Sequence, residues 1–127
     1  MGYDVELIQI AVGPEAAFPT AAEDIGRDGG AHEPFASVDE VRAALLRLDG
    51  TRPGPDKTID YLGRGLNHAR FHVWLEAIHV DNNLNAAELL KIYKYLLSRY
   101  PLLLIHDLQS GQLHNAASFA DWWTRPL

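Results

Sequence analysis

The sequence predicts an α+β fold, a two-layer sandwich with helices on one face of a β-sheet. Three observations predict it: several stretches have the apolar and β-branched content or the two-residue period of strands, two others have the helical period with capping residues, and the two kinds alternate. If residues 57–62 and 67–80 form a hairpin, the order of elements is β-α-β-β-α-β. That order is the ferredoxin-like arrangement, here followed by an extra C-terminal hairpin strand and a short helix.

The composition is that of a folded, mildly acidic globular protein. At 127 residues the chain is close to the usual size of one domain, so we predict a single α+β domain over residues 1–127. It contains 11 Lys and Arg against 17 Asp and Glu, a net charge of −6, and its basic residues are scattered. Because this charge repels phosphate backbones, we expect no nucleic-acid partner and instead a basic protein partner.

Several functional classes are excluded by what the sequence lacks. The chain has no cysteine, which excludes disulfides, thiolate metal ligands and a cysteine nucleophile. Residues 1–6 lack the basic segment of a signal peptide, and no apolar run approaches membrane-spanning length, so we expect a cytoplasmic protein without a membrane partner. Motifs of nucleotide binding and of serine or zinc hydrolysis are absent, so the sequence predicts no cofactor and names no reaction.

The first half of the chain predicts one strand, one long loop and one helix. Residues 3–12 are rich in β-branched and large apolar side chains, which predicts a buried strand. Residues 13–36 carry scattered Pro and Gly without any period, so we predict a long irregular loop, either a solvated insertion or a partner-binding segment. Ser37 and Glu40 form a capping box, and apolar residues at helical spacing as far as Leu48 predict an amphipathic helix.

The second half predicts further strands and two helices. Residues 57–62 fit either a short strand or one turn of helix. A capped apolar stripe over residues 85–100 predicts the most regular helix of the chain. Residues 102–108 and 112–115 predict a short hairpin, and Ser118 is predicted to cap a last short helix.

Residues 68–80 fit two periodicities, which imply different functions. With period two, this stretch is a half-buried strand whose polar row contains His68, Arg70, His72, Trp74 and Glu76. With the helical period, His68, His72 and Glu76 would share one face and could hold a metal ion. The bulky and β-branched side chains favour the strand. On a strand, residues four apart lie roughly 13 Å from each other, so His68 and His72 could not share one ion.

A second candidate metal site lies in the C-terminal hairpin. With a loop at residues 109–111, His106 lies opposite His114 on the same face, and cross-strand neighbours are roughly 5 Å apart. Such a pair could bind a metal ion with a third ligand from the adjacent strand, or titrate as a coupled pair near neutral pH. The alternative is two half-exposed histidines without a function. A small metal-binding protein or enzyme that uses His106 and His114 is therefore the second functional hypothesis.

A protein-binding surface is the favoured hypothesis. Trp74 shares its predicted polar row with Arg70, His72 and Glu76, and an exposed Trp beside an Arg is typical of a binding hot spot. The alternative places Trp74 under the terminal helix, in a second small core. The predicted loop over residues 13–36 is a second surface that could dock on a basic partner.

The order of elements resembles that of the small bacterial immunity proteins that neutralise secreted toxins. The resemblance rests on a strand followed by a capped helix, and on a hairpin at residues 102–113 with the sequence Leu-Leu-Leu-Ile-His-Asp-Leu-Gln-Ser-Gly-Gln-Leu. It covers the chain in general architecture and transfers no functional residue. It implies a non-catalytic protein that occludes the active site of a toxin. In that case acidic residues of the predicted loop would meet the basic cleft of the toxin, namely Glu15, Glu23, Asp24 and Asp28. The sequence thus predicts a non-catalytic protein-binding module, with a homodimer as the alternative assembly.

Overall fold

A computed structural model of the chain describes residues 4–12, 16–25 and 30–124, with side chains as far as residue 121. Its helices are α1 (Val38–Leu46), α2 (Ala86–Leu97) and α3 (Ala116–Thr124). Its strands are β1 (Val5–Ala11), β2 (Thr20–Ala21), β3 (Ala31–His32), β4 (Thr51–Pro53), β5 (Ile59–Leu62), β6 (His68–Val73), β7 (Ile78–Asn83), β8 (Leu103–Asp107) and β9 (Gln112–His114). Short 3-10 turns lie at Ala22–Asp24 and Pro55–Lys57.

The described residues form one open, nine-stranded antiparallel sheet with three short helices, so the predicted two-layer ferredoxin-like sandwich is wrong. The strand order is β2-β9-β8-β1-β7-β6-β5-β4, and β3 pairs with the end of β1. Two causes account for the difference. The predicted long strand over residues 68–80 is a hairpin of two strands, and parts of the predicted loops form β2, β3 and β4. A strand edge without a neighbour has unpaired backbone groups, so an adjacent extended segment gains hydrogen bonds by joining it.

The helices pack against one face of the sheet and form the main core with it. Leu7, Phe71 and Ile78 enter this core from three different strands, and each is 0% exposed. Tyr93 of α2 is equally buried, and its hydroxyl donates to the carbonyl of Leu103 at 2.6 Å. Burial of this ring raises the pKa of Tyr93 because the charged phenolate would lose its hydration. The helical layer is therefore joined to the sheet by apolar contacts and by a buried hydrogen bond.

Two predicted helix caps are confirmed and one is wrong. Ser37 Oγ accepts from the backbone N–H three residues on at 3.2 Å, and Asn85 Oδ1 does the same at 2.8 Å. The third helix begins at Ala116, and Asn115 rather than Ser118 caps it: Asn115 Oδ1 accepts from the Ser118 N–H at 2.8 Å. Asx side chains are as good as Ser at this position, and the offset is three residues in all three helices.

Among the helices of the described ranges, none has the length and apolar character needed to span a membrane.

The stretch predicted as one strand over residues 68–80 turns back on itself. Strand β6 ends before a four-residue turn at residues 74–77, where the Trp74 N–H donates to the carbonyl of Ala77 at 2.9 Å. Strand β7 then returns beside β6, which places His72 directly opposite His79. Residues paired across an antiparallel ladder share a face of the sheet. The side chains that point into the main core are therefore at odd-numbered positions in β6 and at even-numbered positions in β7.

Part of the predicted loop covers one end of the second face of the sheet. Ile10, Leu104 and Leu113 are buried there, with Phe18 and Ile25 packed against them. The stretch 13–36 is thus not wholly irregular, since it contains β2, a 3-10 turn and β3. Beyond this small cluster the second face carries the polar side chains of β4 to β7, and these form the candidate site.

Candidate functional site

The second face of β4 to β7, together with the start of β1, carries a row of charged and imidazole side chains. Alternation along each strand and pairing between strands bring them to one side of the sheet. We call this surface the polar face. It consists of Asp4, Glu6, Arg52, Asp60, His68, Arg70, His72, His79 and Asp81.

Arg70, predicted to bind a partner, is already paired within its own chain. Its Nε donates to Asp60 Oδ1 at 2.7 Å, and its Nη2 donates to Asp60 Oδ2 at 3.3 Å, from paired positions of β6 and β5. The hydrogen bond from Arg70 is the main cause that lowers the pKa of Asp60. Because the Arg70 side chain is 44% exposed, solvent screens the pair, and such exposed pairs contribute little to stability.

Two histidines and two aspartates meet where β6, β7 and the start of β1 lie side by side. Asp81 Oδ2 lies 2.9 Å from His72 Nε2, and Asp81 Oδ1 lies 3.2 Å from His79 Nε2. The same His79 nitrogen lies 3.3 Å from Asp4 Oδ2. The hydrogen bond from His72 is the main cause that lowers the pKa of Asp81, so this carboxylate is charged at neutral pH. We call these four residues the histidine–aspartate cluster.

The turn between β6 and β7 presents two large apolar side chains. Trp74 is 50% exposed and Leu75 is 47% exposed. The Trp74 ring lies against the histidines, with centroid distances of 6.3 Å to His72 and 5.9 Å to His79. Trp74 thus lies in a turn rather than in the middle of a strand, and no helix among the described residues covers the exposed half of its side chain.

The backbone of this turn is held by the segment that follows β3. The Phe35 N–H donates to the carbonyl of Leu75 at 2.7 Å, and the ring of Phe35 is buried in the main core. A ring nitrogen of His32, Nε2, lies 2.8 Å from the carbonyl oxygen of Glu76. The turn is therefore fastened at two successive residues, and the predicted partner-binding residue Glu76 is exposed on it.

Of the acidic residues predicted in the long loop, Glu23 and Asp24 do not join this surface. Glu23 is exposed and Asp24 is partly buried in the 3-10 turn that follows β2. The strand order places β2 on the far side of β9, β8 and β1 from the β6–β7 turn. Glu15 and Asp28 lie outside the described residues.

The predicted metal pair His106 and His114 is not brought together. His106 pairs with Leu113 and His114 pairs with Ile105, so the two imidazoles lie on opposite faces of the sheet. His114 is 1% exposed on the core side, and its Nδ1 lies 3.1 Å from Ser118 Oγ.

The side chain of Asp107, the last residue of β8, forms hydrogen bonds that stabilise a register different from the predicted one. Asp107 Oδ1 accepts from the Gln109 N–H at 3.0 Å, and Asp107 Oδ2 accepts from the Ser110 hydroxyl at 2.9 Å. Asp107 then pairs with Gln112, which makes the loop four residues long instead of the three predicted. A shift by one residue moves a side chain to the other face, which separates the two histidines.

The helical alternative for residues 68–80 is also excluded, because His68 and His72 lie on a strand and Glu76 lies in the turn. Asp4, His79 and Asp81 also contribute to the site, which the sequence did not predict. One feature of the sequence could have predicted their contribution. The apolar residues of β6 are at odd-numbered positions, whereas Ile78 and Val80 are at even-numbered positions, and this change indicates a turn just before Ile78. Comparison with known protein-family models, curated proteins and solved structures finds no match for this chain.

Proposed function

We propose that the chain is a non-catalytic protein-binding module whose β6–β7 turn inserts Trp74 and Leu75 into a basic protein partner. The observation that carries the proposal is that exposed apolar side chains lie on a turn whose backbone is hydrogen-bonded to another segment. Both side chains are about half exposed, yet the turn beneath them is fastened by hydrogen bonds to residues 32–35. A rigid aromatic anchor loses little conformational entropy on binding, which is typical of binding hot spots.

The apolar area available at Trp74 is large enough to matter for affinity. A Trp side chain buries roughly 150–250 Å² when fully covered, so its exposed half offers roughly 100 Å². At about 25 cal/mol per Å², covering this area contributes about 2.5 kcal/mol. Leu75, the next residue of the turn, adds a second exposed apolar side chain of similar fractional exposure.

Glu76 and the net charge of the chain favour a basic partner. A groove of about 390 Å³ begins at Trp74 and His72, and the exposed carboxylates of Asp39 and Asp56 line it. Glu76 is exposed on the turn itself. Arg42 and Lys57 also line the groove, so its own charges balance, and the preference for cations comes from Glu76 and from the net charge of −6. An Arg or Lys side chain of the partner can stack on the Trp74 ring.

The proposal includes a class of partner and a location. The resemblance to bacterial immunity proteins supports a partner whose basic active-site cleft is occluded, and the acidic charge of the chain supports rapid electrostatic association with such a cleft. We propose that the encounter takes place in the cytoplasm.

Site-specific photocrosslinking tests this proposal. A benzoyl-phenylalanine in place of Leu75 is activated in a lysate of the source organism, and the same substitution at Leu66 is the matched control. Leu66 is 93% exposed in the loop between β5 and β6, away from the turn. We expect a basic protein to be captured from position 75 and not from position 66. An excess of unlabelled wild-type chain should suppress the crosslink, and an excess of Trp74→Ala should not.

Affinity measurements with the captured protein complete the test. Trp74→Ala should weaken binding by about 30-fold or more, which corresponds to about 2 kcal/mol, while Leu66→Ala should leave Kd unchanged. Calorimetry at low and high salt should show affinity falling as salt rises. Equal affinity of the Trp74→Ala variant, capture of an acidic protein, or a crosslink to a second copy of this chain would each contradict the proposal.

A further inference from the structure

The histidine–aspartate cluster has the ligand types and spacing of a metal site. His79 Nε2 lies 3.3 Å from Asp4 Oδ2 and 3.2 Å from Asp81 Oδ1, and the three ligand atoms all lie within 4.8 Å of one another. In a tetrahedral site with metal–ligand bonds of about 2.0–2.2 Å, neighbouring ligand atoms are about 3.3–3.6 Å apart. Two of the three separations are therefore close to those that a bound ion requires.

We propose that Asp4, His79 and Asp81 bind one divalent transition-metal ion, with Zn²⁺ as the best match. Imidazole nitrogen suits zinc and its neighbours in the first transition series, whereas Ca²⁺ and Mg²⁺ prefer oxygen ligands alone. Three protein ligands leave a fourth position for water or for a ligand from outside the chain. This proposal does not depend on the protein-binding function, since its residues and its test are different.

The strands that carry these ligands hold them in place. His79 and Asp81 are two residues apart on β7, so both side chains point to the polar face. Asp4 directly precedes β1, and Val5 pairs with Val80, which places Asp4 beside Asp81 across the ladder. Since β1 and β7 are interior strands of the sheet, neither backbone can move far without breaking hydrogen bonds on two sides.

His72 is a positioning residue in this site. Its Nε2 lies 2.9 Å from Asp81 Oδ2, which leaves Asp81 Oδ1 directed at His79. Such contacts to the ligands of a metal ion fix their orientation, and removing one typically lowers metal affinity about 10–100-fold.

The charge of the site also favours a cation. Asp4 and Asp81 flank His79, and Glu6 is paired with His79 across the ladder between β1 and β7. Three carboxylates around one imidazole repel one another, and a divalent ion offsets that repulsion. His79 is the most enclosed member of the cluster, with 21% of its side chain exposed, so screening by solvent is weakest at the proposed ion.

Titration of metal-free protein with zinc tests the site. The full chain without an affinity tag is stripped of metal and titrated with ZnCl₂ by calorimetry, and native mass spectrometry counts the ions. We expect one zinc ion per chain. Titration with CoCl₂ should give visible absorption bands with the intensity of a four- or five-coordinate site, which is a readout independent of heat.

Matched variants decide which residues bind the ion. His79→Ala should lower zinc affinity at least about 100-fold, and His72→Ala should lower it about 10–100-fold. His68→Ala is the control, since His68 lies on β6, on the same face, and is exposed. It should leave zinc affinity unchanged. If His79→Ala does not fold by circular dichroism, Asp4→Asn, placed before the first strand, replaces it as the test.

Three results would overturn the proposal. The first is no saturable zinc binding by the wild-type chain at millimolar metal. The second is binding that both His79→Ala and Asp4→Asn leave intact. The third is binding that His68→Ala weakens as much as His79→Ala does, which would indicate adsorption to surface histidines in general.

Discussion

Phe71→Ala and Trp74→Ala, made three residues apart in the same hairpin, should differ sharply in their effect on stability. Phe71 is 0% exposed in β6, where Ile59 and Val80 are its paired neighbours on either side. Truncating such a ring in a core costs about 3–5 kcal/mol, the sum of lost transfer free energy and the cavity left behind. Since small domains are stable by about 5–15 kcal/mol, the Phe71→Ala variant should still fold at 25 °C.

The cost of Trp74→Ala should be smaller because only half of that ring is covered. The covered half, roughly 100 Å², gives an upper limit of about 2.5 kcal/mol at about 25 cal/mol per Å². Residual compactness of the unfolded chain reduces this figure to below about 2 kcal/mol. Truncating Phe71 should therefore lower the free energy of unfolding more than truncating Trp74, although Phe is the smaller side chain.

Urea unfolding followed by circular dichroism measures both values. The two variants should share the m-value of the wild type and differ only in midpoint, and the melting temperature of Phe71→Ala should fall by about 10–20 °C. Equal losses for the two variants, or a larger loss for Trp74→Ala, would mean that Trp74 lies in a core. The assignment of residues 74–77 to an exposed turn would then be refuted.

Two further predictions concern a buried hydroxyl and an ion pair. Tyr93→Phe removes the donor to the Leu103 carbonyl and leaves that buried acceptor unpaired. The free energy of unfolding should therefore fall by about 1–3 kcal/mol. A change within experimental error would show that this hydrogen bond contributes nothing to stability. Asp60→Asn tests the pH dependence that follows from the lowered pKa of Asp60, whose ordinary value is 3.8. Because the folded pKa lies below the unfolded one, the contribution of Asp60 is complete above pH 3.8 and is lost as pH falls through the folded pKa. The difference in stability between wild type and Asp60→Asn should thus shrink as pH falls below 4, and a difference independent of pH would contradict the assignment.

Much of the local structure could be predicted because it depends on residues close in sequence. The caps at Ser37 and Asn85 satisfy backbone donors three residues away, and no other part of the chain is needed for them. The buried strand β1 and the hairpin of β8 and β9 follow from runs of apolar residues and a glycine turn. Each of these features involves hydrogen bonds or packing within a short window of sequence.

The candidate site could not be predicted in the same way, because pairing between strands decides it. Whether His72 faces His79 depends on a turn of four residues, and whether His106 faces His114 depends on the register that the side chain of Asp107 stabilises. In both hairpins, a turn that is longer or shorter by one residue would move the side chains of one strand to the opposite face of the sheet. For the β8–β9 hairpin the period of the sequence is the same in either register, so it does not distinguish them. For the β6–β7 hairpin the change of apolar phase at Ile78 and Val80 indicates a turn, but not which residues pair across it.

The sequence by itself therefore determined an acidic chain of strands and capped helices, an apolar side for each of them, and the exposed character of the polar row. Only the tertiary structure decided that nine strands join one sheet, that Trp74 stands on a fastened turn, and that Asp4 comes to His79 and Asp81 from a distant part of the chain. The physical reason is the separation along the chain over which each kind of interaction acts. Capping and periodicity act within a few residues, whereas strand order and register balance hydrogen bonds and burial over the whole sheet.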